Sequence, residues 1–415
     1  MNTNDIKITL PSSKSLSIRW LLVARLSGSN IPMSGLSDAD DVKVLKRILA
    51  NFDLTAANSS SDAEVRLHCG ESAAVARFLL AILATRPLGC VVLDGSPSLL
   101  RRPMAPLVDA LRSMGGAHIE YLASEGGLPL RVEGCWPEKK LVEVDPSLSG
   151  QFVSALAIAG AALPRGLHVR MTKPPSSRSY IEMTCSVLAQ AGAANDYKPN
   201  HTTIRIEPFA AHSRMKNVII ERDWSAASFF FMAALFLPRR RIRLVSLSNE
   251  SLQGDRVAAR LFASLGVKTV VARSPYRVCR SLVIEGGGPV APHLLYDFSE
   301  CPDLSLPLAV SCAAIGVEAW FSGLHTLRYK ECDRLEALSV ELRKMGAVVE
   351  TGRDRLHILP SVLKPSQPVC TYGDHRMAMA FGTLRIFFPD LMIDHPEVVS
   401  KSFPDFWNQL SPFLS

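Results

Sequence analysis

Leu342-Arg343-Lys344-Met345-Gly346 closes an amphipathic run on a glycine and hands the chain over to a strand. Glycine just past a helix takes the left-handed conformation that lets the last carbonyls find donors, so this pentapeptide predicts a helix stop. The same phrase stands at Leu111-Arg112-Ser113-Met114-Gly115, Leu188-Ala189-Gln190-Ala191-Gly192 and Leu261-Phe262-Ala263-Ser264-Leu265-Gly266, with the four glycines 77, 74 and 80 residues apart. Asn51, after Leu45-Lys46-Arg47-Ile48-Leu49-Ala50, reads as an earlier copy with asparagine in the glycine's role. The spacing predicts about six units of helix and strand, each too large for a solenoid repeat and the size of a small subdomain.

With 415 residues, 47% hydrophobic and 20% charged, the chain is long enough for two cores and lacks the signature of disorder. Its net charge of +7 is spread among 39 acids, and the one basic run is Pro238-Arg239-Arg240-Arg241-Ile242-Arg243. No aromatic RNA-binding signature or DNA-binding motif accompanies that run. It reads as a solvated loop after an apolar helix, and no nucleic-acid partner is expected. Nine cysteines, an odd number without a C-x-x-C pair, argue against a disulfide framework and a thiolate zinc site. Ten histidines show no H-E-x-x-H pattern, so neither metal nor cofactor is expected. Met1-Asn2-Thr3-Asn4-Asp5-Ile6-Lys7 has no apolar signal region, and the longest apolar run, Phe229 to Leu237, is too short for a bilayer. The expectation is a cytoplasmic protein without a membrane partner.

Chemistry concentrates in Thr371-Tyr372-Gly373-Asp374-His375-Arg376-Met377-Ala378-Met379, which sets an acid, an imidazole and a guanidinium just before an apolar helical run. Helix N-termini carry unpaired N–H groups and positive partial charge, so an arginine there can grip a carboxylate or phosphate in fork geometry. Alone, the stretch also reads as a capped helix start with a surface ion pair. Four distant segments place basic residues beside Ser, Gln or Glu. They are Pro11-Ser12-Ser13-Lys14-Ser15-Leu16-Ser17-Ile18-Arg19, Arg101-Arg102-Pro103, Lys330-Glu331-Cys332-Asp333-Arg334 and Lys401-Ser402-Phe403-Pro404-Asp405.

Together with Ser149-Gly150-Gln151-Phe152, these segments resemble, in order and spacing over nearly the whole chain, the 5-enolpyruvylshikimate-3-phosphate synthases, the enolpyruvyl transferases of the shikimate pathway. The resemblance implies an α/β (α+β) fold: a two-domain inside-out α/β barrel, each domain made of three βαβαββ units with pseudo-threefold symmetry. It implies a discontinuous terminal domain of residues 1–14 plus 221–415, an inserted middle domain of 15–220, and an active site in the interdomain cleft. It also implies two small anionic substrates, shikimate 3-phosphate and phosphoenolpyruvate, and a monomer.

Matching residue by residue, the resemblance assigns Lys14, Ser15, Arg19, Ser149, Gln151, Ser177, Tyr180, Asp303, Thr326 and Lys330 to shikimate 3-phosphate. It assigns Lys14, Ala73, Arg102, Gln151, Arg334, Arg376 and Lys401 to phosphoenolpyruvate. Asp303 matches the carboxylate that takes the hydroxyl proton and Glu331 the acid that serves C3, with Lys14 beside it as a catalytic charge partner. Elementary electrostatics favours such a set, because two polyanions share a site only where several cations neutralise them. Read by itself, Asp303 is a helix N-cap; Asp223-Trp224-Ser225 is a capped helix start, and Ser251-Leu252-Gln253-Gly254-Asp255 a turn.

The chain departs from the family pattern at Cys69-Gly70-Glu71-Ser72-Ala73-Ala74-Val75-Ala76-Arg77, where relatives read Leu-Gly-Asn-Ala-Gly-Thr-Ala-x-Arg. Glu71 brings a negative charge, Ala73 adds a methyl and Ala74 loses a hydroxyl. The Ala73 methyl shortens the space where the resemblance places glyphosate, so weak inhibition with activity retained is expected. Gly150 replaces the second serine of the usual Ser-Ser-Gln, removing one phosphate donor, and Thr326 stands where relatives carry asparagine. Two alternatives follow. The sister UDP-N-acetylglucosamine enolpyruvyl transferases carry Asn after their first catalytic lysine and a cysteine in the loop before their arginine. This chain has Ser15 and no cysteine between Cys90 and Cys135. The other alternative is a non-catalytic anion-binding paralogue on the same fold.

Overall fold

A computed structural model describes residues 5–55, 64–210, 217–272 and 281–414 of the chain. They divide into two compact units. The first comprises Met1–Ser13, Ser37–Ala39 and Glu221–Ser415; the second comprises Lys14–Leu36 and Asp40–Ile220.

In the first unit two four-stranded sheets share one plan. Ile6–Ile8 runs parallel to Arg241–Leu244, which pairs antiparallel with Ser281–Glu285, and that strand with Lys268–Ala272. His293–Asp297 runs parallel to Glu318–Ser322, followed antiparallel by Leu356–Leu359 and Val348–Thr351. The helices Trp224–Phe236, Ser305–Ile315 and His375–Thr383 pack on one another within the unit. Trp224–Phe236 is apolar on every side, as a helix with no wet face must be, and Phe229, Phe230 and Phe231 are all buried. Phe229 and Phe230 meet the Phe406 ring at centroid distances of 6.0 and 6.3 Å, so the core is built on helix faces with sheets around them.

The second unit repeats the plan. Val65–His68 lies parallel to Cys90–Asp94, with Leu130–Glu133 and His118–Tyr121 following antiparallel. Leu141–Val144 lies parallel to Leu167–Met171, with Thr203–Ile206 antiparallel to the latter. Met33–Ser34 and Val218–Ile219 form a short parallel pair. Helices Ala73–Ala84 and Gln151–Ala161, buried along nearly their whole length, pack together at the centre.

The predicted helix stops are where the pentapeptides put them: Gly115, Gly192, Gly266 and Gly346 have φ of +78°, +87°, +92° and +88°. Asn51 corrects the expectation for the fifth. It is the last residue of helix Asp40–Asn51 and is absent from the left-handed residues of the described chain. Its amide donates to the Arg47 carbonyl at 2.8 Å, satisfying that carbonyl from the side chain instead of by a backbone reversal. The basic run is also corrected. Arg241 and Arg243 belong to a strand, as the alternation Arg241-Ile242-Arg243-Leu244 requires, and both hold Asp5, at 3.0 and 2.7 Å.

Candidate active site

The predicted residues form one cluster in each unit. In the second unit, helix Lys14–Leu26 presents Lys14 and Arg19. Lys14 Nζ lies 2.9 Å from Asp41 Oδ2, in the first turn of helix Asp40–Asn51. Arg19 is buried and donates to four neutral oxygens: Thr184 Oγ1 at 2.7 Å, Ser15 O at 3.0 Å, Tyr180 O at 3.2 Å and Ser154 Oγ at 3.5 Å. Its guanidinium stands 5.3 and 5.8 Å from the ring centroids of Phe78 and Tyr180. No carboxylate among the described residues pairs with it, and burial pulls its pKa down to about 10. A buried cation among neutral partners is costly unless an anion arrives, which suits a ligand carboxylate or phosphate.

Arg77 ties this cluster together. Its Nη1 donates to Gln151 Oε1 at 2.9 Å and Ser149 Oγ at 3.2 Å, and its Nη2 to the Pro103 carbonyl at 2.8 Å. Its guanidinium lies 4.8 Å from the Phe152 ring centroid. One side chain thus joins the Ser149-Gly150-Gln151 segment to the segment carrying the buried Arg102. Sequence reading gave Arg77 no role, although it closes the departing loop; its partners stand 26 to 74 residues away, and only the fold brings them together. In that loop Glu71 is exposed, while Ala73 is buried as the first residue of helix Ala73–Ala84, capped by Ser72 Oγ accepting from Val75 N at 3.3 Å. Ser177 holds a left-handed φ of +56° where it caps helix Arg178–Gln190.

Gly150 has a reason in the structure. A Cβ there would sit 2.6 Å from the Ser176 carbonyl oxygen, closer than real contacts allow, so the missing side chain lets the Ser176-Ser177 backbone close on the helix start. Restoring the family serine is therefore expected to harm. Gly150→Ser should cost about 1–3 kcal/mol of stability by overpacking and bring no gain in affinity for shikimate 3-phosphate. An unshifted melting temperature together with tighter binding in calorimetry would refute this.

In the first unit Arg334 is the hub, at 1% exposure. Its Nε and Nη2 reach Asp374 Oδ2 and Oδ1 at 2.6 and 3.1 Å, its Nη1 reaches Asp303 Oδ1 at 2.7 Å, and its Nη2 also reaches Glu331 Oε2 at 2.7 Å. Asp303 further pairs with Lys330 Nζ and Arg376 Nη2, each at 3.2 Å, and Glu331 Oε1 lies 3.6 Å from Lys401 Nζ. Burial alone would raise the Asp303 carboxyl, but Arg376, Lys330 and Arg334 hold it far below the usual carboxylate range. Arg334, Lys330, Arg376 and Lys401 thus stand against Asp303, Glu331 and Asp374 in one ion network. Thr326 is buried nearby on the turn His325–Tyr329, and its hydroxyl has no hydrogen-bond partner among the described residues. Asp303 does not cap a helix. It lies on the turn Pro302–Leu304, and Leu304 is the N-cap residue of Ser305–Ile315.

The stretch from Thr371 behaves as the helix start expected of it. Asp374 caps helix His375–Thr383, accepting from Arg376 N at 2.8 Å. Its ion pair, however, is buried and goes to Arg334, while Arg376 turns to Asp303. Asp255, read from sequence as part of a turn, is buried, accepts a hydrogen bond from Ser225, and has its carboxyl pushed up to about 6 by burial. Among the described residues no helix is long and apolar enough to cross a membrane.

The sequence profile of the family described as EPSP synthase (3-phosphoshikimate 1-carboxyvinyltransferase) matches residues 4–410. The chain is 36% identical to the 3-phosphoshikimate 1-carboxyvinyltransferase of Bacteroides fragilis strain YCH46, over 97% of this chain and 94% of that one. Its fold is similar to that of the EPSP synthase of Acinetobacter baumannii, with a TM-score of 0.74 at 19% identity, covering 98% and 95% of the two chains. It is also similar in fold to the enolpyruvyl transferase NikO of Streptomyces tendae, with a TM-score of 0.69 at 12% identity over 99% and 95%.

Proposed function

We infer the roles of individual residues from one premise: this chain belongs to the EPSP synthase family, the 3-phosphoshikimate 1-carboxyvinyltransferases. It transfers the enolpyruvyl group of phosphoenolpyruvate to the 5-hydroxyl of shikimate 3-phosphate and releases phosphate, a step of the shikimate pathway to the aromatic amino acids. In the reading we propose, Asp303 accepts the 5-hydroxyl proton as that oxygen attacks C2 of phosphoenolpyruvate, and Glu331, entering the cycle as the protonated acid, delivers its proton to C3. In the second half Glu331 takes a proton back from C3, and phosphate departs with the proton held by Asp303. Lys14 serves as charge partner to the developing anion.

The observation that carries this reading is Asp303 held ionised by three cations, each within 3.2 Å. A carboxylate so paired is a weak base, and substrate changes that. Phosphate and carboxylate groups arriving on Arg376 and Lys330 compete for the same cations and return basicity to Asp303. Arg19, buried without a carboxylate partner, and Thr326, with an unused buried hydroxyl, fit the binding of shikimate 3-phosphate. Lys14, Ser15, Ser149, Gln151, Ser177, Tyr180 and Lys330 complete that set. Ala73, Arg102, Gln151, Arg334, Arg376 and Lys401, with Lys14, take phosphoenolpyruvate. We propose a monomer acting in the cytoplasm, a reducing compartment that suits described cysteines which are all free thiols.

Phosphate release tests the reading. Arg376→Ala and Lys14→Ala should each lower kcat/KM by about 10- to 150-fold, the worth of one charged hydrogen bond of about 1.5–3 kcal/mol. Wild-type rates in both purified variants would remove the assignments. Parallel assays with UDP-N-acetylglucosamine as acceptor should release no phosphate.

A further inference from the structure

Glu341 is one of the buried acids of the first unit that take no part in the proposed reaction. Glu341, 1% exposed, sits near the end of helix Arg334–Lys344. Its Oε1 accepts from the Tyr372 hydroxyl at 2.8 Å, and its Oε2 accepts from Lys344 Nζ at 2.7 Å and Cys370 N at 3.1 Å. Tyr372 has a left-handed φ of +55° and Gly373 one of +69°, and Asp374 N donates to the Thr371 carbonyl at 2.8 Å. This is a turn of the type I′ sense, whose first central position disfavours a side chain as large as tyrosine. The residue is 40% exposed, so it is not kept there to fill the core. What it supplies is the hydroxyl.

Arg334 and Glu341 are seven residues apart, two helical turns, and therefore on one face of their helix. That face grips the turn twice, through Arg334 to Asp374 and through Glu341 to Tyr372. The entry to the turn is held separately, by Thr371 N donating to Asp394 Oδ1 at 2.5 Å and Cys370 N to Glu341, and the Tyr372 hydroxyl is the bond that holds its apex. The residue aimed by the turn is Arg376, the second of the helix that follows, which meets Asp303 at 3.2 Å.

We propose that Tyr372 is a positioning residue: its hydrogen bond to Glu341 holds the apex of the Thr371–Asp374 turn and sets the angle at which Arg376 meets the anion of phosphoenolpyruvate. The proposal rests on the assignment of Arg376 to that substrate. Because Arg376 would touch charge already present on bound phosphoenolpyruvate, misaiming it weakens ground state and transition state alike and shows in KM.

Tyr372→Phe deletes one donor and keeps the ring. In the purified full-length protein it should raise KM for phosphoenolpyruvate about five- to tenfold, with kcat and KM for shikimate 3-phosphate within about twofold and the melting temperature within about 2 °C. An unchanged KM for phosphoenolpyruvate would overturn the proposal, as would equal rises in both KM values or a fall in kcat and melting temperature alone. Arg376→Ala separates the two possible failures. If it leaves that KM unchanged, the substrate assignment and the clamp both fall; if it raises KM where Tyr372→Phe does not, the clamp alone falls. In the Arg376→Ala background, Tyr372→Phe should add less than about twofold, and a further full fivefold would show that it does not act through Arg376.

Discussion

Replacing Asp303 by asparagine is expected to leave a protein that binds both substrates and turns over about 10²- to 10⁴-fold more slowly, the usual worth of a positioned proton acceptor. The amide keeps the shape of the carboxyl and its contact with Arg334, which lies 2.7 Å away, but it cannot take the hydroxyl proton. It also leaves Lys330 and Arg376 without the charge they now face, so anionic substrates should bind as well as before or better. Single-turnover phosphate release, with substrate binding followed by calorimetry, would separate the two effects. Near-normal turnover would move the base to another residue, and lost binding of both substrates would show that Asp303 only holds the site together.

Arg334→Met is expected to lower the melting temperature by roughly 10 °C and abolish turnover. Methionine has similar bulk and no charge, so the change takes the ion pair from Asp374 and one cation each from Asp303 and Glu331, in a site where all three are buried to at least 88% by side chain. Breaking a buried ion network by removing one partner costs about 3–5 kcal/mol, and in a unit of this size each kcal/mol moves the melting temperature by about 2–4 °C. The sign of the pH dependence is fixed by Asp303. Its folded pKa is depressed in the native protein, so the stability it contributes is present above the unfolded value and lost as pH falls. Without Arg334 that contribution is smaller, so the gap in melting temperature should hold from neutral pH down to about pH 4 and narrow below it. A melting temperature within about 2 °C of the parent at neutral pH would contradict this account of the hub.

The parts of the fold that sequence exposes are those written in local residues. Gly115, Gly192, Gly266 and Gly346 announce helix ends because only a glycine reverses the chain there cheaply, and all four do so. Asn51 shows the limit, since an amide can cap its own helix from the side and needs no reversal. The Asp374-His375-Arg376 junction is visible because a cap and an apolar run are adjacent in sequence. The partner of Asp374 is not visible, because Arg334 lies 40 residues earlier and ion pairing carries no local signature. Arg77 escaped for the same reason, as did the crowding that makes Gly150 a glycine, which depends on a carbonyl oxygen of the Ser176 loop. Arg241 and Arg243 read as loop because three arginines in a row mask the two-residue alternation that the strand obeys.

Arg334 also limits how this sequence can change over time. One guanidinium serves carboxylates from three separate segments, so substitutions at 303, 331 and 374 are not independent trials. A neutral residue at any one of them alters the charge balance felt by the other two, and a change harmless on one background becomes damaging on another. Divergence in these three segments should therefore arrive as coordinated sets. An ancestral chain rebuilt one position at a time would pass through intermediates less fit than either end.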